Sequence, residues 1–145
     1  MKTITDKARI EEIFARGTLV EAYPSKEELM NKLLSGDRIR IYIGVDPTGA
    51  AMHIGHAKNI MFLEELRQLG HEVIILFGDF TAMIGDPSDK AATRKQLTAE
   101  EVKKNVSGWV EQVQPLLDFK DKANPARIEY NSTWLAKLTF SEVLD

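Results

Sequence analysis

The sequence predicts an α/β fold built on a parallel sheet and preceded by two short helices. The first observation is a strict alternation of apolar and other residues over positions 38–45, which is typical of a strand with one buried face. The second is the segment of residues 72–77, in which Glu72 is followed by five consecutive apolar residues, which indicates a strand buried on both faces. The third is a helical pattern between them, over residues 54–69. Strand, helix and strand in this order predict a parallel βαβ unit with a right-handed crossover.

Composition and charge place the chain among globular proteins. It has 145 residues, of which 43% are hydrophobic, enough apolar material for a core. The formal net charge of -3 offers no general basic surface, although it neither predicts nor excludes RNA binding. The absence of cysteine removes disulfides, thiolate nucleophiles and cysteine metal ligands. No apolar run approaches the ~18 residues of a membrane-spanning helix, so we expect a soluble, cytoplasmic protein without a targeting segment.

Two helices are predicted ahead of the first strand. Thr5 can cap the first of them, and Gly17 is placed to end it. The second begins at the capping box of residues 25–28 and ends at Gly36. We therefore expect residues 1–37 to form an amino-terminal helical segment.

A longer helix and a third strand are predicted after the second strand. Residues 98–101 form another capping box, and Pro115 is placed to end the helix that they start. Residues 126–130 fit a strand, and residues 139–145 resemble the start of an amphipathic helix. Because the chain stops inside a predicted helix, we expect residues 38–145 to be the first part of a truncated Rossmann-like domain with a partial parallel sheet.

Glycine-rich and polar turns follow the first two predicted strands, over residues 46–56 and 78–96. Ligands of open α/β sheets bind at the carboxyl ends of the strands, so both turns are expected to face one crevice. Gly44, Gly49 and Gly55 allow a ligand to approach the backbone closely. The helix after the first turn also offers N–H groups and a positive dipole end for a phosphate. The pattern favours a nucleotide-binding fold.

His53 and His56 are the most versatile side chains in these turns. They stand three residues apart at the start of a predicted helix, which places them on one face, where they can donate hydrogen bonds to a triphosphate. The same pair would also fit a metal site, or it could consist of ordinary helix-start residues. His71 is the only other histidine and the chain has no cysteine, which argues against a metal.

Four further side chains fit a substrate site but are also common in purely structural roles. Tyr42 shares one face of the first strand with Gly44, and it is equally typical of a half-buried strand tyrosine. Asp86 precedes a proline and fits an ordinary turn. Lys90 and Arg94 are residue types that are most often solvated. The combination of these residues around two turns is what favours a functional site.

Two long motifs carry a resemblance to a known family. They are Tyr42-Ile-Gly-Val-Asp-Pro-Thr-Gly-Ala-Ala-Met-His-Ile-Gly-His56 and Gly78-Asp-Phe-Thr-Ala-Met-Ile-Gly-Asp-Pro-Ser88. At this separation they resemble the amino-terminal part of the catalytic domain of bacterial tyrosyl-tRNA synthetases, which are class I aminoacyl-tRNA synthetases. The likeness extends over nearly the whole chain, to the segment Tyr130-Asn-Ser-Thr-Trp-Leu135.

The resemblance implies a tyrosine–tRNA ligase, an ATP-binding enzyme that activates L-tyrosine as tyrosyl-adenylate and transfers it to tRNA(Tyr). It implies that Tyr42 binds the phenol hydroxyl of the amino acid and that Asp86 binds its ammonium group. It also implies that Gly44 and Asp46 line the adenylate and that Gly55 lies against the adenine. Such enzymes are homodimers, although the sequence itself does not show the oligomeric state.

The resemblance further implies that Thr48, His53 and His56 address the ATP phosphates, and that Lys90 and Arg94 hold the leaving pyrophosphate. The substrate carboxylate attacks the α-phosphate directly, so the reaction needs no protein nucleophile. Catalysis then rests on positioning and on donors aimed at developing charge. We expect Mg²⁺ to arrive with ATP, and we expect no protein-bound metal.

The sequence departs from the family pattern at Asp89, where such enzymes usually have glycine. The chain also stops before the family's tyrosine-binding helix, its lysine-rich second signature loop and its tRNA-binding regions, which leaves the activity of this chain alone open. Two alternatives remain. One is a tryptophanyl-tRNA synthetase or another nucleotidylyltransferase with a His-x-Gly-His motif, against which Tyr42 and Asp86 favour tyrosine. The other is a catalytically inert nucleotide-binding fragment.

Overall fold

The computed structural model describes residues 2–84 and 96–144. The strands within those ranges are β1 (Arg40–Val45), β2 (Glu72–Phe77) and β3 (Arg127–Tyr130). The helices there are α1 (Lys7–Ala15), α2 (Lys26–Leu34), α3 (Ile54–Gln68), α4 (Thr81–Ile84), α5 (Ala99–Val113), α6 (Ser132–Leu135) and α7 (Phe140–Leu144). This element order confirms the predicted α/β fold class. None of these helices is long and apolar enough to cross a membrane.

The strands form one sheet in the order β1-β2-β3. Glu72 N donates to Ile39 O at 3.0 Å where β1 and β2 start, and Gly78 N donates to Val45 O at 2.9 Å just beyond their ends. The start of β1 pairs with the start of β2, and the end of β1 with the end of β2. The two strands are therefore parallel, as the βαβ pattern predicts. Exposure alternates along β1, and most of β2 is buried, which also follows the sequence pattern.

The chain divides into two compact units. The first unit comprises Met1–Tyr42, His53–Ile74 and Val113–Arg127. The second unit comprises Ile43–Met52, Ile75–Gln112 and Ile128–Asp145. Strands β1 and β2 each continue from the first unit into the second. The predicted boundary near residue 37 stays a prediction.

Helices α1, α2 and α3 form the apolar core of the first unit. Its buried side chains are Ile10, Ile13, Leu33, Leu66 and Leu69. The two isoleucines are among the positions that give α1 its helical apolar spacing, and Leu66 and Leu69 lie at the carboxyl end of α3. Truncating one such core leucine to alanine typically costs about 2–5 kcal/mol. This packing anchors the carboxyl end of the helix whose amino end carries the histidine pair.

The helix ends of the first unit follow the signals of the sequence, with one exception. The predicted glycine stops have positive φ, the region that only glycine adopts without strain: Gly17 (69°), Gly36 (84°) and Gly70 (94°). The exception is the start of α1, where Asp6 and not Thr5 accepts from Arg9 N, at 3.2 Å. The helix begins at Lys7, so Asp6 occupies the capping position, and aspartate caps at least as well as threonine. The predicted Thr5 cap is wrong by one residue.

A buried arginine ties α3 to the segment after α5 within the first unit. Arg67 is 5% exposed, and its guanidinium forms two bonds to the Glu64 carboxylate at 2.7 and 2.8 Å. It also donates to Asp121 Oδ2 at 2.7 Å and to Asn124 O at 2.8 Å. Burial acts to raise the pKa of Glu64, but the bonds from Arg67 and its neighbours hold that pKa below its ordinary value. The charge of Arg67 is therefore matched although it is out of water.

Helix α5 of the second unit forms as its sequence predicts. Thr98 N donates to Glu101 Oε2 at 2.8 Å and Glu101 N donates to Thr98 Oγ1 at 3.2 Å, which is the predicted capping box. The helix ends at Val113, two residues ahead of Pro115. Its buried positions in this unit are Val102, Val106 and Trp109.

Two short helices are not among the elements that the sequence predicts. Helix α4 occupies the first part of the predicted loop of residues 78–96, where Ala82 N donates to Gly78 O at 2.9 Å. Ala82 is 3% exposed, so this part of the segment contributes to the core of the second unit. Helix α6 directly follows β3. Each has four residues, too few to show a helical period in sequence.

Candidate functional site

The exposed face of β1 carries Tyr42 and Gly44. Tyr42 is 65% exposed, so it is not the half-buried strand tyrosine that its spacing also allowed. A Cβ added to Gly44 would meet no described atom of the protein within 4 Å. The backbone at Gly44 is therefore open to a ligand, as predicted for a glycine that a substrate approaches closely.

The carboxylate of Asp46, just after β1, is held by the segment that follows β2. Thr81 Oγ1 donates to Asp46 Oδ1 at 2.8 Å. Gly78 makes this approach possible, since a Cβ there would lie 1.7 Å from Asp46 Oδ1 and 2.4 Å from Thr81 Oγ1. The turns after the first two strands therefore meet, as expected for the carboxyl ends of neighbouring parallel strands.

Asn131 completes this group from the end of β3. Its Nδ2 donates to Thr81 Oγ1 at 3.0 Å and its Oδ1 accepts from Phe80 N at 2.9 Å, so its amide orientation is defined. The Thr81 hydroxyl thus accepts from Asn131, and of its two acceptors Asp46 Oδ1 at 2.8 Å is nearer than Gly78 O at 3.3 Å. Neither Asn131 nor Thr81 is among the residues predicted from the sequence. The available signal was the position of Asn131 directly after a predicted strand.

His53 and His56 organise the start of α3 in the first unit. His53 is the N-cap residue, and its Nδ1 accepts from Gly55 N at 3.1 Å. Nδ1 of His56 accepts from His53 N at 3.3 Å, and together these bonds form a capping box. The two rings stack with centroids 3.8 Å apart and planes at 29°. Both histidines thus have a structural role at the helix start.

The capping bonds also define the hydrogen positions of the two imidazoles. Since each Nδ1 is an acceptor, the hydrogen of each neutral ring lies on Nε2. Burial, and then the charge of His53, lowers the pKa of His56, which favours the neutral ring at pH 7. A Cβ on Gly55 would lie 3.0 Å from the His53 ring, so a larger residue would press on the cap. The amino end of α3 combines imidazole N–H donors with helix N–H groups, a combination that suits an anion.

Thr48 lies in the exposed turn between β1 and α3, within the second unit. That turn is bonded to α5 through Asn105, Trp109 and Gln112, whose partners lie 58 to 62 residues away in sequence. No local pattern predicts such long-range bonds from side chain to backbone. These three residues are accordingly absent from the sites predicted from the sequence.

The remaining predicted residues, Asp86, Lys90 and Arg94, lie outside the described residues, as does Asp89. Over residues 2–84 and 96–144, no group of three or more His, Asp or Glu side chains is arranged to hold a metal ion. The second unit offers the Asp46 carboxylate and the Thr48 hydroxyl, which can bind a polar substrate. The first unit offers two imidazoles and the start of α3, which can donate to an anion.

The fold is an α/β domain of Rossmann-like type, with the polar side chains of Asp46, Thr81 and Asn131 joined where its strands end. Residues 34–145 match the family described as tRNA synthetases class I (W and Y). The chain belongs to this family. The resemblance drawn from the two sequence motifs is thereby confirmed.

Individual relatives are similar over most of this chain. It is 41% identical over 140 residues to the tyrosine–tRNA ligase of Synechococcus elongatus, an alignment that covers 90% of this chain and 34% of that protein. It is 44% identical over 138 residues to that of Carboxydothermus hydrogenoformans, covering 92% and 32%. A C-terminally truncated mitochondrial tyrosyl-tRNA synthetase from Coccidioides posadasii superposes with a TM-score of 0.69 at 25% identity, covering 94% and 38%. The chain thus spans about a third of the length of the curated relatives it matches.

Proposed function

We propose that this chain is the amino-terminal part of the catalytic domain of a tyrosine–tRNA ligase. The complete enzyme activates L-tyrosine with ATP to give tyrosyl-adenylate and pyrophosphate, and then transfers the tyrosyl group to tRNA(Tyr) in protein biosynthesis. The observation that carries the proposal is the stacked histidine pair at the start of α3, which caps the helix through Nδ1 and keeps hydrogen on Nε2. Family membership supports it, as do the tyrosine-specific names of the relatives.

The activation step makes modest demands on the protein. An oxygen of the tyrosine carboxylate attacks the α-phosphorus of ATP, and the bond from that phosphorus to the pyrophosphate oxygen breaks. The carboxylate is already ionised, so neither a protein nucleophile nor a strong base is required. His53, His56 and Thr48 donate to phosphate oxygens as charge develops, each contributing roughly 3 kcal/mol by analogy with oxyanion-hole donors.

The amino acid and the adenylate are assigned to the ends of β1 and β2. Tyr42 binds the phenol hydroxyl of the substrate, and Asp86 binds its ammonium group. Gly44 and Asp46 line the adenylate, and Gly55 lies against the adenine. The exposure of Tyr42, the open space at Gly44 and the fixed carboxylate of Asp46 support these roles.

The leaving pyrophosphate is assigned to Lys90 and Arg94, whose positive charges oppose the charge released on it. Mg²⁺ enters with ATP, so the protein needs no metal site of its own. The partners of the complete protein are tyrosine, ATP and tRNA(Tyr), and it acts as a cytoplasmic homodimer. Tryptophan is the second candidate substrate, because the matching family includes both amino acids.

The test is ATP–pyrophosphate exchange by the full-length protein that contains this chain, with tyrosine or tryptophan as the amino acid. We expect exchange that depends on tyrosine. Faster exchange with tryptophan would establish the second candidate, and exchange with neither would refute the synthetase function. Calorimetry of the 145-residue chain with ATP and tyrosine then distinguishes a working half-site from an inert scaffold.

A matched substitution separates the two roles of His53. His53→Asn retains an oxygen that can cap α3 but removes the imidazole. We expect it to keep the stability of the protein and to slow adenylate formation by about 100-fold. His53→Ala should lower the stability of the protein, because the cap is lost, and should slow adenylate formation as well. If His53→Asn kept the full rate, His53 would serve only the helix and the phosphate role would fail.

A further inference from the structure

The turn of residues 46–52 carries two proposed substrate-binding side chains but has little bonding of its own. Among the described residues, the one backbone hydrogen bond closed within it runs from Thr48 N to Asp46 O, at 2.8 Å. Its residues are exposed except for Pro47, which is buried, and Met52, which is partly buried. An exposed turn with so few internal bonds samples several conformations unless something else holds it.

Helix α5 holds the first part of this turn. Asn105 Nδ2 donates to Pro47 O at 2.9 Å, and Trp109 Nε1 donates to Gly49 O at 2.7 Å. Trp109 is 3% exposed, so packing fixes the position of its indole. Thr48 lies between the two carbonyl groups that α5 holds. The backbone on both sides of Thr48 is therefore restrained.

The end of the turn is attached through Gln112. Its Oε1 accepts from Met52 N at 2.9 Å, and its Nε2 donates to Ala50 O at 3.2 Å and to Gly108 O at 2.9 Å. With both ends of the amide engaged, the side chain has one orientation. Met52 is the residue before His53, so this attachment restrains the chain where it enters α3.

The spacing of the three side chains matches a single face of α5. Positions 105, 109 and 112 are separated by four and three residues, the separations at which helical side chains are neighbours. Asparagine and glutamine side chains at a protein surface usually bind water. Here each of them reaches the backbone of a turn about sixty residues away in sequence.

We propose that Asn105, Trp109 and Gln112 are positioning residues for ATP, acting through the turn of residues 46–52. This inference rests on the proposed synthetase function and adds residues on α5 that touch no substrate. They hold the backbone that sets the direction of the Thr48 side chain. Displacing such a donor by about 1 Å costs on the order of 100-fold in rate, so a loosened turn should impair the phosphate step before it impairs folding.

The test uses two substitutions in the full-length protein that remove hydrogen bonds between α5 and the turn. Trp109→Phe keeps an aromatic ring and deletes the donor to Gly49 O, and Gln112→Ala deletes the attachment of Ala50 and Met52. Gln114→Ala is the matched control, because Gln114 is exposed just after α5. The measurements are kcat and KM for ATP in pyrophosphate exchange, the Kd for tyrosine, and the unfolding midpoint.

We expect both substitutions to lower kcat/KM for ATP by about 10- to 100-fold, while the Kd for tyrosine stays close to that of Gln114→Ala. The unfolding midpoint of Gln112→Ala should also stay close to that of the control, whereas Trp109→Phe should lower it because part of a buried ring is lost. A double-mutant cycle with Thr48→Ala measures the coupling between α5 and Thr48, which a merely structural role would not produce. If α5 acts through Thr48, Gln112→Ala should have a smaller effect once Thr48 is alanine.

Four results would overturn the inference. Kinetic constants of both variants equal to those of Gln114→Ala would show that the turn needs no support from α5. A loss of tyrosine affinity in proportion to the loss of rate, or such a loss of stability in Gln112→Ala, would show a general structural role. Full additivity of Gln112→Ala with Thr48→Ala would show the same. If the parent protein shows no amino-acid-dependent exchange, the proposed function fails and this inference fails with it. If the parent shows exchange and the variants have the same kinetic constants as the parent, only the role of α5 is refuted.

Discussion

Gly78→Ala is the substitution with the most direct steric consequence in the structure. The added Cβ would lie 1.7 Å from Asp46 Oδ1 and 2.4 Å from Thr81 Oγ1. The φ of Gly78 is outside the left-handed region, so alanine meets a clash and not a strained backbone. The substitution therefore tests whether the meeting of the first two strand ends depends on a bare backbone at residue 78.

The size of the destabilisation follows from the displacement that the added Cβ forces on the Asp46 carboxylate. An ordinary contact to a Cβ is about 3.4 Å or longer, so the Asp46 carboxylate must retreat by about 1.7 Å. Asp46 is exposed and can rotate into water, but it then loses the 2.8 Å bond from Thr81. A hydrogen bond to a charged group contributes about 1.5–3 kcal/mol, and less where water competes. We expect the free energy of unfolding to fall by about 1–2 kcal/mol.

Urea denaturation of Gly78→Ala, Asp46→Ala and the double variant measures this effect. With Asp46 shortened, the alanine at position 78 no longer meets a carboxylate, so the cost of Gly78→Ala should shrink in the double variant. Gly49→Ala is the stability control, because a Cβ there meets no described atom within 4 Å. Equal stability of Gly78→Ala and Gly49→Ala, or full additivity with Asp46→Ala, would refute the steric argument.

Two further predictions concern the first unit. Arg67→Ala removes a buried guanidinium and leaves the partly buried carboxylate of Glu64 without its ion-pair partner, so we expect a loss of about 3 kcal/mol in urea denaturation, the low end of the cost of breaking a buried pair. Lys32→Ala, which removes an exposed ion pair with Asp37, should change stability little, and an equal loss in both would contradict this reasoning. Burial, and then the charge of Arg38, lowers the pKa of His71, so below about pH 6.5 the unfolded chain binds a proton that the folded chain does not. Stability should therefore fall as the pH drops from 7 to 5, and His71→Gln should flatten that fall; an unchanged pH profile would exclude His71 as its source.

The elements that the sequence predicts well are those with local causes. Strand β2 has the predicted bounds because a run of β-branched and large apolar residues needs no distant partner to be recognised. Helices α1, α2 and α3 each end just before a glycine, and the positive φ of that glycine is a property of the residue itself. The Thr5 cap is wrong because two good capping residues stand side by side, and sequence alone does not decide between them. Helices α4 and α6 were not predicted because four residues carry no period.

In the candidate site, too, the residues with local causes are the ones that the sequence predicts. Its motif residues, such as Asp46 and Thr48, are recognisable because they lie within one short stretch of chain. The residues that support them do not share this property. Thr81 donates to the carboxylate of Asp46, 35 residues away, and Asn131 donates to Thr81 from 50 residues away. Gln112 accepts from Met52 N in a turn 60 residues away. A side chain that bonds to a distant backbone carbonyl leaves no periodic or compositional trace. Structure was needed to find these supports.

The histidine pair shows how a structural role can prepare a chemical one. The sequence left helix capping and phosphate binding as separate roles for His53 and His56. The structure shows the capping bonds, and these would prepare both rings for the proposed phosphate role. Each Nδ1 is occupied by a backbone N–H of the helix start, so the hydrogen is confined to Nε2. A histidine without this bond would divide its population between two tautomers and rotate about its side-chain bonds. Capping therefore removes, before any substrate binds, part of the disorder that would otherwise weaken a donor aimed at a developing negative charge.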